Sequence, residues 1–116
     1  MGPAVWPFEF AVREIVTLLC RGDYYALEQL TAGERLSAGE LAQAVDDYPG
    51  TLQPPPSWEA APLDVVPVTS ADSPTWSVVV PLWTVEEGLS DLSLELTVRE
   101  RREGGYIIAI DDLHVL

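Results

Sequence analysis

Apolar positions along this chain change their spacing once, from every third or fourth residue before Gln53 to every second residue after Thr75. Phe8, Val12, Ile15, Val16 and Leu19 lie at helical spacing and predict a helix over 8–21. Arg21 falls in its last turn, where the helix dipole favours a cation, and Gly22 is a natural stop. Asp23 can cap a second, short helix over 24–30 with Leu27 and Leu30 facing inward. Ser37-Ala38-Gly39-Glu40 fits a capping box, in which the serine oxygen accepts an early backbone N–H and the glutamate reaches back. A third helix over 38–47 then buries Leu41, Ala44, Val45 and Tyr48, and Pro49-Gly50 ends it.

The segment 53–62 holds four of the ten prolines, Pro54-Pro55-Pro56 among them. Such a stretch is a stiff extended connector, and it is too short to separate two domains. Trp58 within it reads as an anchor on the body; a proline-rich ligand for a signalling module is the alternative.

Period-two segments follow. The stretch 63–68 carries Pro67, which suits an edge strand. The stretch 75–84 is apolar on both faces, as a central strand covered on both sides would be, and Pro81 demands a bulge or a missing ladder bond. Over 89–100, Leu92, Leu94, Leu96 and Val98 share one face, and Asp91, Ser93, Glu95, Thr97 and Arg99 share the other, wet face. Gly104-Gly105 marks a hairpin, and the last strand returns antiparallel over 105–115. Strict alternation there puts Asp112 and His114 on one face and Asp111 on the other, on a strand that closes the chain without a tail. Helices followed by a meander predict a single α+β domain over 1–116, with N-terminal helices packed on a four-stranded curved antiparallel sheet.

This order resembles the cone-shaped nuclear transport factor 2-like and cystatin-like folds. The resemblance implies a pocket between helices and sheet, on a superfold that hosts isomerases, dehydratases, cyclases, binding modules and bacterial immunity proteins. The chain also resembles short bacterial proteins of unassigned activity, through its stretches Trp76 to Trp83, Ser90 to Leu96 and Asp111 to Leu116.

Composition narrows the class. With 47% hydrophobic and 22% charged residues the chain is globular rather than disordered. Its longest apolar stretch, Val78 to Trp83, falls far short of the ~20 residues of a membrane helix. Met1 to Pro7 lacks the basic start and apolar run of a secretory signal. Cys20 is alone, which excludes an internal disulfide framework and fits a reducing compartment, so the expectation is a soluble, cytoplasmic protein.

Charge changes the picture most. Nineteen acidic residues against six arginines and no lysine leave a net charge of −13. Such a field repels nucleic acid and anionic membranes and favours a basic protein partner; the plainer account is that it keeps a small domain soluble.

Candidate chemistry is sparse. Asp112 beside His114 could form a general acid/base pair, as in an apolar-pocket enzyme of the ketosteroid isomerase type; the alternative is a polar patch at a sheet edge. A metal site is not expected, because one histidine and one cysteine supply too few nitrogen or sulfur ligands even with Asp64 or Asp91. Cys20 reads as a core or boundary residue, and the chain has no nucleophile elbow, phosphate loop or dinucleotide fingerprint, hence no cofactor. Trp76 and Trp83 are seven apart and face opposite ways; the outer one, beside Tyr106 or Ile108, suits a partner surface or a homodimer interface. The sequence therefore favours a non-enzymatic protein-binding module of the immunity type. Its contact residues would be Glu86, Glu87, Asp91, Glu95, Asp111 and Trp83, and the alternative is a small pocket enzyme or ligand binder using Asp112 and His114.

Overall fold

A computed structural model describes residues 6–31, 36–60, 63–69 and 72–115. Helix α1, Glu9–Arg21, buries Val12, Ile15, Val16 and Leu19 along one stripe. Gly22 ends it in the left-handed region at φ 72°, a conformation that costs glycine nothing. Helix α2, Tyr24–Thr31, begins where the Asp23 carboxylate accepts from the Ala26 N–H at 3.2 Å. Leu27 and Thr31 take its inward positions. Leu30 does not face inward as expected: it is 51% exposed, and the buried positions of the helix are Leu27 and Thr31, four apart. Helix α3, Ala38–Asp47, starts in a complete capping box: Ser37 Oγ accepts from Glu40 N–H at 3.2 Å, and Glu40 accepts from Ser37 N–H at 2.9 Å. Leu41 is fully buried there, while Ala44, Val45 and Tyr48 pack at the margin of the core.

The sheet has five strands among the described residues rather than four. The addition is β1, Leu52–Gln53, which pairs antiparallel with Thr84 and Trp83. Two residues flanked by a proline run carry no periodicity, so sequence cannot reveal such a strand. A 3₁₀ turn at Trp58–Ala60 follows, and Trp58 packs against the core margin with the Arg13 guanidinium 5.5 Å from its ring centre. Strand β2, Asp64–Pro67, occupies an edge beside Trp76–Val79. Strands β3, Thr75–Thr84, β4, Gly88–Glu100, and β5, Tyr106–Val115, form the antiparallel meander. The order is β1-β3-β4-β5, with β2 also on β3. Register on β3 shifts just after Pro81, where Leu82 stands against three residues of β4 and its carbonyl accepts the Ser90 hydroxyl at 2.8 Å. Gly104 and Gly105, both at positive φ, turn the chain into β5.

The core lies between the helices and one sheet face. Val12, Ile15, Leu19, Leu27 and Leu41 meet Val78, Val80, Leu94, Leu96, Val98 and Ile110, all essentially without accessible surface. Trp76 belongs to this side, tilted against Phe8 and edge-on to Tyr106 at ring separations of 5.2 and 6.4 Å. No second layer covers the other face among the described residues, so β3 is not sandwiched as its sequence suggested. Val79, Pro81 and Trp83 lie half-buried on that outer face instead.

Candidate functional site

The outer sheet face gathers most of the residues that sequence singled out. Along β4 it carries Leu89, Asp91, Ser93, Glu95, Thr97 and Arg99, because the core takes the alternate positions. Strand β5 lies beside it with Ser93 opposite His114 and Glu95 opposite Asp112. The register then slips: Glu95 opposes Asp112, but Leu96 opposes Ile110, leaving Asp111 as an extra residue on β5. A bulge of this kind lets two successive side chains share a face. The Thr97 hydroxyl donates to Asp111 Oδ2 at 2.6 Å, which places Asp111 on the outer face with Asp112 and His114. Asp111 is thus not turned away from Asp112, as strict alternation requires. The signal was present in the apolar positions Ile108, Ile110 and Leu113, whose spacing lengthens from two to three across the two aspartates.

The result is a tight acidic cluster around one imidazole. His114 Nδ1 lies 2.7 Å from Asp112 Oδ2, and Nε2 lies 2.8 Å from Glu95 Oε2. The second contact is a close approach that lacks hydrogen-bond alignment, and it is an ion pair only when the imidazole carries a proton on both nitrogens. Asp112 Oδ1 also accepts the Leu113 N–H at 2.9 Å. A carboxylate with both oxygens engaged and an imidazole held between two acids make a fixed patch of charge. The pair sits on an open sheet face, Asp112 52% and His114 36% exposed, not in the helix-facing interior, which is filled by core side chains.

Trp83 lies on the same face, opposite Leu89, near Pro81 and Val79. Tyr106 and Ile108, expected beside it, are instead on the helix side, opposite Glu100 and Val98. The apolar strip of β3 and Leu89 thus borders carboxylates of β4 and β5.

Glu86 and Glu87 are spent elsewhere. In the β3–β4 turn, Glu86 accepts the Thr51 N–H at 2.7 Å, and Glu87 accepts the Tyr48 hydroxyl. The backbone donor at Thr51 holds the Glu86 carboxyl below its usual range. The Glu87 bond holds the Tyr48 phenol above its own. These two carboxylates tie the turn to the end of α3.

A separate cleft of about 600 Å³ opens on the helical side, between the end of α1, helix α3 and the chain leading into β1. Sequence patterning gave no sign of it, because it is formed by an interhelical gap rather than a motif. Cys20 lines it, and burial pushes its thiol up to about 11, which leaves it a poor nucleophile. Among the described residues no group of three or more His, Cys, Asp and Glu side chains is arranged to hold a metal ion. No described helix is long and apolar enough to cross a membrane.

Residues 16–116 match the family model described as Domain of unknown function (DUF7668). The chain belongs to the DUF7668 family. The matched span takes in both the acidic cluster and the helical cleft of this DUF7668 chain and begins within α1. No curated protein matches the chain, and neither does any solved structure.

Proposed function

We propose that this DUF7668 protein is a non-enzymatic binding module that engages a basic protein partner through the outer sheet face, as an immunity-type protein does. The observation that carries the proposal is the composition of that face: half-buried Val79, Pro81 and Trp83 with exposed Leu89, bordered by Asp91, Glu95, Asp111 and Asp112. Apolar contact supplies affinity there, and carboxylates along the border supply orientation and encounter rate. The net charge of −13 extends the same preference over the whole molecule. The helices-then-meander order supports assigning the fold to the nuclear transport factor 2-like and cystatin-like group, in which bacterial binding modules occur.

The test is capture of partners from the source cell followed by cross-linking and mass spectrometry. A basic protein cross-linked next to Trp83, Leu89 or Asp91, and lost from an Asp91→Asn/Asp112→Asn variant, is the expected result. Cross-links confined to the helical side, or to an acidic partner, would contradict it.

A further inference from the structure

The helical cleft carries two opposite charges that the protein leaves unused. Arg21 contributes a guanidinium from the last turn of α1, and Asp46 contributes a carboxylate from α3. Both line the cleft and both are exposed. They do not pair with one another, and neither has another ion-pair or hydrogen-bond partner among the described residues. The rest of the lining is mixed: half-buried Val45 and Leu52 give an apolar patch, and Gln43, Tyr48 and Thr51 give polar groups beside it. Tyr24 adds a phenol beside Asp46, protonated well past neutrality because burial and the Asp46 charge raise it, and so able to donate. The volume of about 600 Å³ falls within the ordinary range of small-ligand sites.

We infer that this cleft binds a small zwitterion with an apolar body, either a free apolar amino acid or a short apolar peptide, with Arg21 on its carboxylate and Asp46 on its ammonium. A guanidinium matches a carboxylate through two parallel donors. A carboxylate at the C-terminal, partially negative end of a helix is in turn suited to an ammonium. A purely anionic ligand would be opposed by the −13 field, and a purely cationic one would leave Arg21 uncompensated beside it. The zwitterion satisfies both charges and adds none. This site is separate from the outer face, and its outcome is independent of any protein partner.

The test is an NMR titration of the full-length ¹⁵N-labelled protein with L-leucine, trileucine, 4-methylpentanoate and 3-methylbutylamine. Saturable shifts at the Gly22, Gly39 and Gly50 amides with leucine or trileucine are expected, and both single-charge analogues should bind roughly tenfold weaker or less. Tighter binding of leucine assigns a free amino acid, and tighter binding of trileucine assigns a peptide. Arg21→Gln and Asp46→Asn, both at exposed positions, should each weaken the zwitterion by about tenfold while leaving the rest of the spectrum in place. Three results would overturn the inference: no saturable shift with either zwitterion, equal affinity for one single-charge analogue, or unchanged affinity in both variants.

Discussion

Leu94 and Leu96 are wholly buried on the helix side of β4, while Ser93 and Thr97 stand on its other face. Leu94→Ala or Leu96→Ala should therefore lower unfolding stability by roughly 2–5 kcal/mol, as a cavity in a filled core does. Ser93→Ala should stay within about 1 kcal/mol. Thr97→Ala should cost about 1 kcal/mol, since it removes one hydrogen bond to Asp111. Urea midpoints decide this, and equal midpoints for Leu94→Ala and Thr97→Ala would reverse the assigned faces. Cys20 makes a second residue-level prediction. Burial favours its neutral thiol, so the thiolate fraction at pH 8 is roughly a thousandth, given a value of about 11. Alkylation by iodoacetamide should be slow in the folded protein and still accelerating between pH 9 and 10; a plateau by pH 9 would contradict it. The inward leucines were legible in the sequence because an uninterrupted two-residue alternation specifies a face. Strict alternation misplaced Asp111, because it assumes an unbroken ladder; only the lengthened spacing from Ile110 to Leu113 marks the bulge that breaks it there.

Helix α3 depends on its start. Its capping box satisfies N–H groups that the first turn would otherwise leave to water, and only Leu41 among its residues is fully buried. Ser37→Ala should cost about 1 kcal/mol and speed amide exchange at Glu40 and Leu41 more than in α1. Uniform exchange across the helices would show that tertiary packing, not the cap, holds α3. The ends of α1 and α3 and the start of β5 were legible because Gly22, Pro49-Gly50 and Gly104-Gly105 give each a local physical reason. Strand β1 was not, since it exists only through pairing with Trp83 and Thr84 on a distant strand. Leu30 misled for a related reason: an apolar residue beside a buried stripe is placed by neighbouring elements, which sequence period does not describe.

At the scale of the whole molecule, one sheet face holds the helices and the other is left open with an apolar strip and an acidic border. Charge and candidate residues were legible from composition, but their grouping was not. Glu86 and Glu87 separated from the rest because the β3–β4 turn folds onto the end of α3, while the bulge brought Asp111 into the cluster. The turn glutamates bond across to the end of α3, whereas Asp91 is exposed and Asp112 bonds, among the described residues, only to its strand neighbours Leu113 and His114. These two outer-face acids are therefore the positions where an Asp→Asn change, which keeps an oxygen acceptor, removes charge at least cost to the fold. The central claim is tested most directly by the affinity for the captured basic partner, measured from low to high salt for the wild type, Asp91→Asn/Asp112→Asn and His114→Gln. Wild-type affinity should fall steeply with salt, the double variant should bind more weakly with a flatter salt dependence, and His114→Gln should change little. Salt-independent binding that is equal in all three proteins, or a catalytic turnover abolished by Asp112→Asn in a folded protein, would contradict it.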